Sequence, residues 1–522
     1  MHSGSRCCAG TAHRLSPGEC VGDVSRIACA ALRARIMPAD QAAGRIADGD
    51  NVGMSGFTGA GYPKAVPQAL AARMRAAASR GDSLKIGVWT GASTGPELDG
   101  ALAAAGGMAM RVPYQADPAS RRAINTGETR YVDAHLSKVA GLARDGCFGH
   151  LNWALIEVTR ILEDGRFVPS TSVGNNQTWF DLADKVILEV NSWQSDKLEG
   201  IHDIQTLHGF GGAPLPLTAP CDRFGSPYLT CPAEKIAAVV ETHAADRNSP
   251  FTPPDETSRC IAGHILDFLE REVRAGRMPE HLHPLQTGVG NVANAVLAGF
   301  ADSRFANLTA YTEVIQDSML DLLREGRMRC ASATSFSVSP PVAAELDSIL
   351  DGIRDRVVLR PQEISNHPGV IRRLGCVAIN TMLEADIYGN VNSTCVMGSR
   401  MQNGIGGSGD FTRNAYLSFF VSPSIAKNGA VSCIVPMAPH VDHPDHDVHV
   451  LVTECGLADL RGLSPAERAG TIIENCAHPR FRDALRDYFK RAKARSHARH
   501  CPHLLAEALS WHERYIREGS MR

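Results

Sequence analysis

The stretch 287–296, TGVGNVANAV, is a glycine turn running into the start of a helix. Two readings fit its letters. In the first, Gly288, Gly290 and Ala293 satisfy G-x-G-x-x-G/A, and Glu313 follows at roughly the spacing of an acid that binds a nucleotide ribose. The strand ahead of the turn speaks against this dinucleotide reading. HPLQT (283–287) is short and polar, whereas the first strand of such a fold is buried on both faces and runs in Val, Ile and Leu. Asn291 and Asn294 are also not asked for by the fingerprint, and Asn291 is a candidate cap for the helix that follows.

The second reading starts from Glu313 in LTAYTEVIQDSM (308–319). NLTAYTEVI (307–315) has the β-branched and aromatic content of a strand. Glu313 falls at its carboxyl end, where open α/β sheets place their ligands. A carboxylate there is ionised at neutral pH and can act as a nucleophile without a separate base. Attack on a thioester yields an acyl-glutamyl anhydride and a thiolate. The thiolate returns to the glutamyl carbonyl, and a second carboxylic acid collects the coenzyme by the reverse steps. Each tetrahedral intermediate carries an oxyanion that needs preorganised N–H donors, and glycine turns supply them because the backbone can approach closely.

Outward from this stretch the chain reads α/β. Helical patterns such as AVPQALAARMRAAASR (65–80) alternate with apolar runs such as SLKIGVWTG (83–91) and DKVILEVN (184–191), as parallel sheets require. Glycine turns recur at 56–66 (GFTGAGYPKAV), 287–296 and 403–411 (NGIGGSGDF). The polar, proline-rich AADRNSPFTPPDE (244–256) looks like a linker. We therefore expect a tail over 1–24, an N-terminal α/β domain over 25–235 and a C-terminal α/β domain over 236–522. The last stretches, FRDALRDYFKRAKARSHARH (481–500) and HLLAEALSWHERYIREG (503–519), read as amphipathic helix.

Composition narrows the function. The 522 residues are 44% hydrophobic and 21% charged, with a formal net charge of −3, which gives no bulk electrostatic case for nucleic acid or a membrane surface. No apolar run of about 18 residues proposes a membrane span. Fifteen cysteines show no CxxC pair, so thiols in a reducing compartment are expected, not a disulfide framework or a zinc site. Residues 1–24 carry Arg, Ser and adjacent cysteines but no apolar core, which excludes a secretory signal and places the chain in the cytoplasm, with a transit peptide as the alternative. In PHVDHPDHDVHV (439–450), His440, His443, His446 and His449 recur every third residue. Pro444 in the middle breaks a helical ligand face, so hydrogen-bonded loop histidines are expected and no metal. GMSGF (53–57) is not a nucleophile elbow, because Phe57 stands where glycine is required.

Longer motifs carry a family resemblance. They are GFTGAGYPKAVP (56–67), TGASTGPELDG (90–100), GVGNVANAVLAGF (288–300), YTEVIQDSML (311–320), ISNHPGVIRRLGC (364–376), EADIYGNVNSTCVMGSRMQNGIGGSGDF (384–411), IVPMAPHVDH (434–443) and VTECGLADLRGLSP (452–465). In this order and spacing, from about residue 30 to the C-terminus, the chain resembles the acetyl-CoA hydrolase/transferase family of class I CoA-transferases. The resemblance implies two open α/β domains facing each other across an active site. It implies transfer of coenzyme A between an acyl-CoA and a short carboxylate, with succinyl-CoA and acetate as the pair, through a thioester on Glu313. It places Gly288, Val289, Gly290, Asn291, Val292, Asn403 and Gly407 on the coenzyme, with the Val289 and Gly407 N–H groups as oxyanion donors. It puts Asn366, Glu454 and Arg247 at further active-site positions. It also implies a homodimer, coenzyme A as substrate, and no tightly bound cofactor. The alternatives are a hydrolase using the same glutamate, an NAD-dependent oxidoreductase, and an idle acyl-CoA-binding protein.

Overall fold

The structure, a computed structural model, describes residues 26–207, 213–248, 254–288 and 290–522. The expected tail (1–24) and Val289 lie outside the described residues. Two eight-stranded sheets organise the rest. In the first, Arg130–Tyr131, Met108–Val112, Ile86–Trp89, Asn51–Met54, Trp153–Ile161, Lys185–Asn191 and Ile236–Thr242 lie side by side, all parallel. Phe167–Pro169 pairs antiparallel with Trp153–Ile161. In the second, the order is Val357–Leu359, Met328–Ala333, Leu308–Tyr311, Leu285–Thr287, Val377–Thr381, Leu417–Val421, Val450–Thr453 and Gly456–Asp459. Only the last pair is antiparallel. Parallel strands buried on both faces need apolar runs, and KVILEVN at 185–191 is buried from its second residue onward.

Both sheets are wound the same way. In the first half, the chain lays down Asn51–Met54 and builds three further strands to one side. It then returns to the other flank with Trp153–Ile161. The second half does the same from Leu285–Thr287, returning with Val377–Thr381. Each sheet therefore has a topological switch point beside its first strand, and ligands of open α/β sheets bind beyond the carboxyl ends of strands at such points. The glycine turns at 56–66 and 287–296 follow those two first strands, so the repeat seen in sequence corresponds to a repeated winding.

Ile236–Thr242 pairs with Lys185–Asn191 as the edge strand of the first sheet. The boundary expected at 235/236 thus cuts ahead of a strand that belongs to the first half. IAAVVET reads as a strand in sequence, but which sheet receives it is a long-range property. The second half opens with the helix Glu256–Arg274. The helix after the second glycine turn runs over Asn291–Asp302, with Gly290 in the N-cap position at φ 136°, so the cap falls to Gly290 and not to Asn291. At the C-terminus, the helix Pro479–Arg495 buries Phe481, Leu485, Tyr488 and Ala492, as its periodicity predicts. The last helix begins only at Ser510. Among the described residues no helix is long and apolar enough to cross a membrane, and the described cysteines are free thiols.

Candidate active site

A cavity of about 340 Å³ lies where the carboxyl ends of the two sheets meet. From the first half come Phe57 and Thr58, Ala92 and Ser93, and Tyr114, each from the loop after a parallel strand. From the second half come Gly288, Glu313, Asn380–Leu383 and the segment Asn403–Ser408. The glycine turns of both halves thus face one space.

Glu313 stands two residues beyond the strand Leu308–Tyr311. Its backbone is fixed on the neighbouring strand's continuation: its carbonyl accepts the Thr334 N–H at 2.9 Å, and Val314 pairs with Ser335. The side chain reaches the cavity, but Oε1 is buried and has no hydrogen-bond partner among the described residues. Burial pushes the carboxyl up to about 8; the nearby Asp410 carboxylate adds to this, and the Gly407 N–H opposes it. Among the described residues no Lys or Arg lines the cavity. A carboxylate in such surroundings is poorly solvated and unpaired.

Gly407 precedes the helix Ser408–Asn414. A Cβ there would stand 1.8 Å from Glu313 Oε1, 2.1 Å from Asn366 Oδ1 and 2.7 Å from Glu313 Cδ. Only glycine lets the loop lie this close to the carboxylate. Asn366 is fully buried after the short helix Gln362–Ser365. Its Nδ2 donates to the Gln362 carbonyl at 3.0 Å, while Oδ1 has no partner among the described residues.

The 401–407 loop is pinned by the first half. Asp133 takes the Ile405 N–H on both oxygens, at 3.1 and 2.9 Å. Arg121 donates to the Gln402 carbonyl at 2.6 Å, and Asn125 exchanges hydrogen bonds with the Met401 backbone, both 2.9 Å. Ser137 donates its N–H and hydroxyl to Asp410, at 3.0 and 2.6 Å. Asn403 donates to the Ser393 and Gly404 carbonyls. On the other wall, Gln316 donates to Thr287 Oγ1 at 3.2 Å and to the Gly288 carbonyl at 3.0 Å, and the Gly288 N–H goes to the Ile379 carbonyl. Val292, the second residue of the helix Asn291–Asp302, packs partly buried against the main core.

Of the expected positions, Gly290, Val292 and Asn366 are not among the lining residues, although Asn366 Oδ1 lies beside Gly407, and Arg247 and Glu454 are engaged elsewhere. Arg247 is an exposed side chain paired with Glu97 at 2.9 Å, although the next residue, Asn248, lines the space. Glu454 follows the strand Val450–Thr453 and accepts the Ser424 N–H at 2.8 Å and the Ser424 hydroxyl. Both charges are satisfied by neighbours, which short-range sequence reading does not reveal. The dinucleotide reading fares no better: Glu313 faces Gly407 and Asn366, not an open nucleotide groove. The histidines of 439–450 are loop residues with local partners. His443 is buried against Phe420 and Ser393, His440 meets Asp442 at 3.1 Å, His446 meets Asp445, and His449 accepts the Ser418 N–H. Among the described residues no group of three or more potential ligands is placed to hold a metal.

The acetyl-CoA hydrolase/transferase N-terminal domain matches residues 30–241, and the acetyl-CoA hydrolase/transferase C-terminal domain matches residues 343–489. The chain belongs to the acetyl-CoA hydrolase/transferase family. It is 49% identical over 492 residues to a succinyl-CoA:acetate CoA-transferase of Clostridium kluyveri, covering 94% of this chain and 91% of the relative. It is 43% identical to an acetyl-CoA hydrolase of Schizosaccharomyces pombe, covering 91% and 94%. The fold is shared with RipA from Yersinia pestis, with a TM-score of 0.68 at 24% identity over 88% of this chain and 98% of that one. Against the family motifs, the structure adds partners that sequence reading missed: Tyr114, Ser137 and Asp133 from the first half, and Gln316 and Asp410 from the second. No spacing signal links Ser137 to Asp410, since 273 residues separate them.

Proposed function

We propose that the protein moves coenzyme A between an acyl-CoA and a short carboxylate, with succinyl-CoA and acetate as the pair, through a thioester on Glu313. The observation that carries this reading is a partly buried glutamate that lines a cavity between glycine loops of both halves, with its Oε1 buried and, among the described residues, without a hydrogen-bond partner. In this mechanism Glu313 attacks the thioester carbonyl, and the Gly407 N–H stands ready for negative charge developing beside it. The coenzyme sulfur then attacks the mixed anhydride and leaves a glutamyl thioester, which the second acid resolves by the reverse sequence. The cavity has no Lys or Arg among its described lining residues, and retention of the thioester depends on excluding water from it when substrate is bound. That Gly288 and Asn403 line the same space supports their roles toward the coenzyme; the roles of Gly290, Asn291 and Val292 rest on the resemblance. The roles of Val289, Arg247 and Glu454 rest on the resemblance alone; the last two require a rearrangement that frees them from Glu97 and Ser424. The resemblance further supports a homodimer that treats coenzyme A as a substrate and keeps no tightly bound cofactor.

The second reading, a hydrolase on the same glutamate, is favoured by the likeness to the S. pombe enzyme. Incubation with succinyl-CoA, with and without acetate, separates the two. Acetyl-CoA formed only with acetate, with little free thiol, supports the transferase. Free thiol released at the same rate without acetate overturns it in favour of the hydrolase.

A further inference from the structure

The position that a Cβ on Gly407 would occupy is 1.8 Å from Glu313 Oε1 and 2.1 Å from Asn366 Oδ1, so these two oxygens are at most about 3.9 Å apart. Both atoms are buried, both are acceptors, and among the described residues neither atom has a hydrogen-bond donor, the Gly407 N–H acting on the Glu313 carboxyl as a whole. Turning the Asn366 amide around does not relieve the conflict. Its Nδ2 donates to the Gln362 carbonyl at 3.0 Å, and a flip would set oxygen against oxygen there. Two facing buried acceptors without a donor are costly unless a proton lies between them.

We infer that Glu313 rests as a neutral carboxylic acid whose proton bridges Oε1 and Asn366 Oδ1, making Asn366 the residue that holds the nucleophile's proton. This deepens the proposed reaction and rests on that reading for its chemical consequence. The groups that act on Glu313 agree with it. Asp410 adds negative charge from the helix Ser408–Asn414, Tyr114 approaches from the first half as a neutral phenol, and the single opposing influence is the Gly407 N–H. His135 and Lys138 act on Asp410.

The step then balances without an outside base. Glu313 forms a C–O bond to the thioester carbonyl carbon, the C–S bond breaks, and the carboxyl proton leaves on sulfur as the coenzyme thiol. The thiol sulfur attacks the glutamyl carbonyl, and the substrate's acid departs carrying that proton. The incoming acid brings a proton in place of the one that left, and the reverse steps return it to Glu313.

The test needs no acyl-CoA, so it stands or falls apart from the proposed activity. Potentiometric titration of the full-length protein and of Glu313→Gln between about pH 6 and about pH 10 counts the protons each binds. The wild type is expected to bind one proton more, with a midpoint near 8. Asn366→Ala, with circular dichroism unchanged, is expected to move that midpoint down by about one unit or more, because the neutral form loses its acceptor. Equal proton counts in wild type and Glu313→Gln would overturn the proposal. A folded Asn366→Ala whose midpoint stays in place would overturn the role of Asn366.

Discussion

Gly407→Ala is a sharp test of how tightly the carboxylate is held. The backbone at Gly407 has φ −92° and ψ −1°, which alanine adopts without the penalty of a left-handed conformation. The whole effect is therefore one methyl group. Its carbon would stand 1.8 Å from Glu313 Oε1 and 2.1 Å from Asn366 Oδ1. Ordinary contact between such atoms is about 3.5 Å, so the carboxylate or the loop must give way by roughly 1.5 Å. Overpacking of this kind costs about 1–3 kcal/mol in stability, which a domain of this size tolerates. Misplacing a nucleophile by about 1 Å costs on the order of 100-fold in rate, so kcat should fall by at least about 100-fold while the thermal midpoint moves only a few degrees. Steady-state kinetics with acyl-CoA and acceptor acid, paired with thermal unfolding, reads both quantities. Gly352→Ala is the control, since nothing lies within 4 Å of a Cβ there. A Gly407→Ala enzyme with kcat within about threefold of wild type would refute the argument that the loop and the carboxylate are locked together.

The ionised form of Glu313 is strained in the fold, which sets a pH dependence. Its folded value, about 8, is above the ordinary 4.5, so the penalty is absent below about pH 4.5, grows between the two values and is complete above about pH 8. At about 1.4 kcal/mol per unit it reaches about 5 kcal/mol. Glu313→Gln is therefore expected to gain thermal stability over wild type as pH rises; a difference independent of pH across that window would contradict this. Glu313→Asp should lose turnover by orders of magnitude, because the carboxylate retracts by one methylene from the Gly407 loop, and kinetics at saturating acyl-CoA check it. Behind the first glycine turn, Lys64 Nζ is buried against Glu157 at 2.6 Å and Asp246 at 2.9 Å. Lys64→Met strands two acids and should cost about 3–5 kcal/mol, read as a loss of the unfolding midpoint; no loss would mean the network contributes little.

Much of the architecture was legible because buried parallel strands and amphipathic helices carry their periods locally. KVILEVN and AVPQALAARMRAAAS became the strand 185–191 and the helix 65–79. The strand order was not legible. Nothing in IAAVVET says that it joins Lys185–Asn191 rather than the sheet that follows, and nothing in HPLQT says that so short and polar a strand is the first of a sheet. Its Gln286 and Thr287 are tolerated in the core because they are hydrogen-bonded, Gln286 with Asn380 and Thr287 with Gln316. At the site, the motifs pointed to Glu313, Asn366, Asn403 and Gly407, which the fold gathers around one cavity. The reason that Gly407 must be glycine is a contact across more than 90 residues of sequence. The first-half wall around Tyr114 and the Ser137–Asp410 clamp are long-range products of folding, as are the ion pairs that occupy Arg247 and Glu454.

The most direct measurement of the central claim is intact-protein and peptide mass spectrometry after incubation with succinyl-CoA in the absence of acceptor acid. The account predicts a covalent coenzyme A adduct on the peptide that carries Glu313, discharged by acetate and missing from Glu313→Gln. An active enzyme that forms no adduct, or forms it on another residue, would contradict the account.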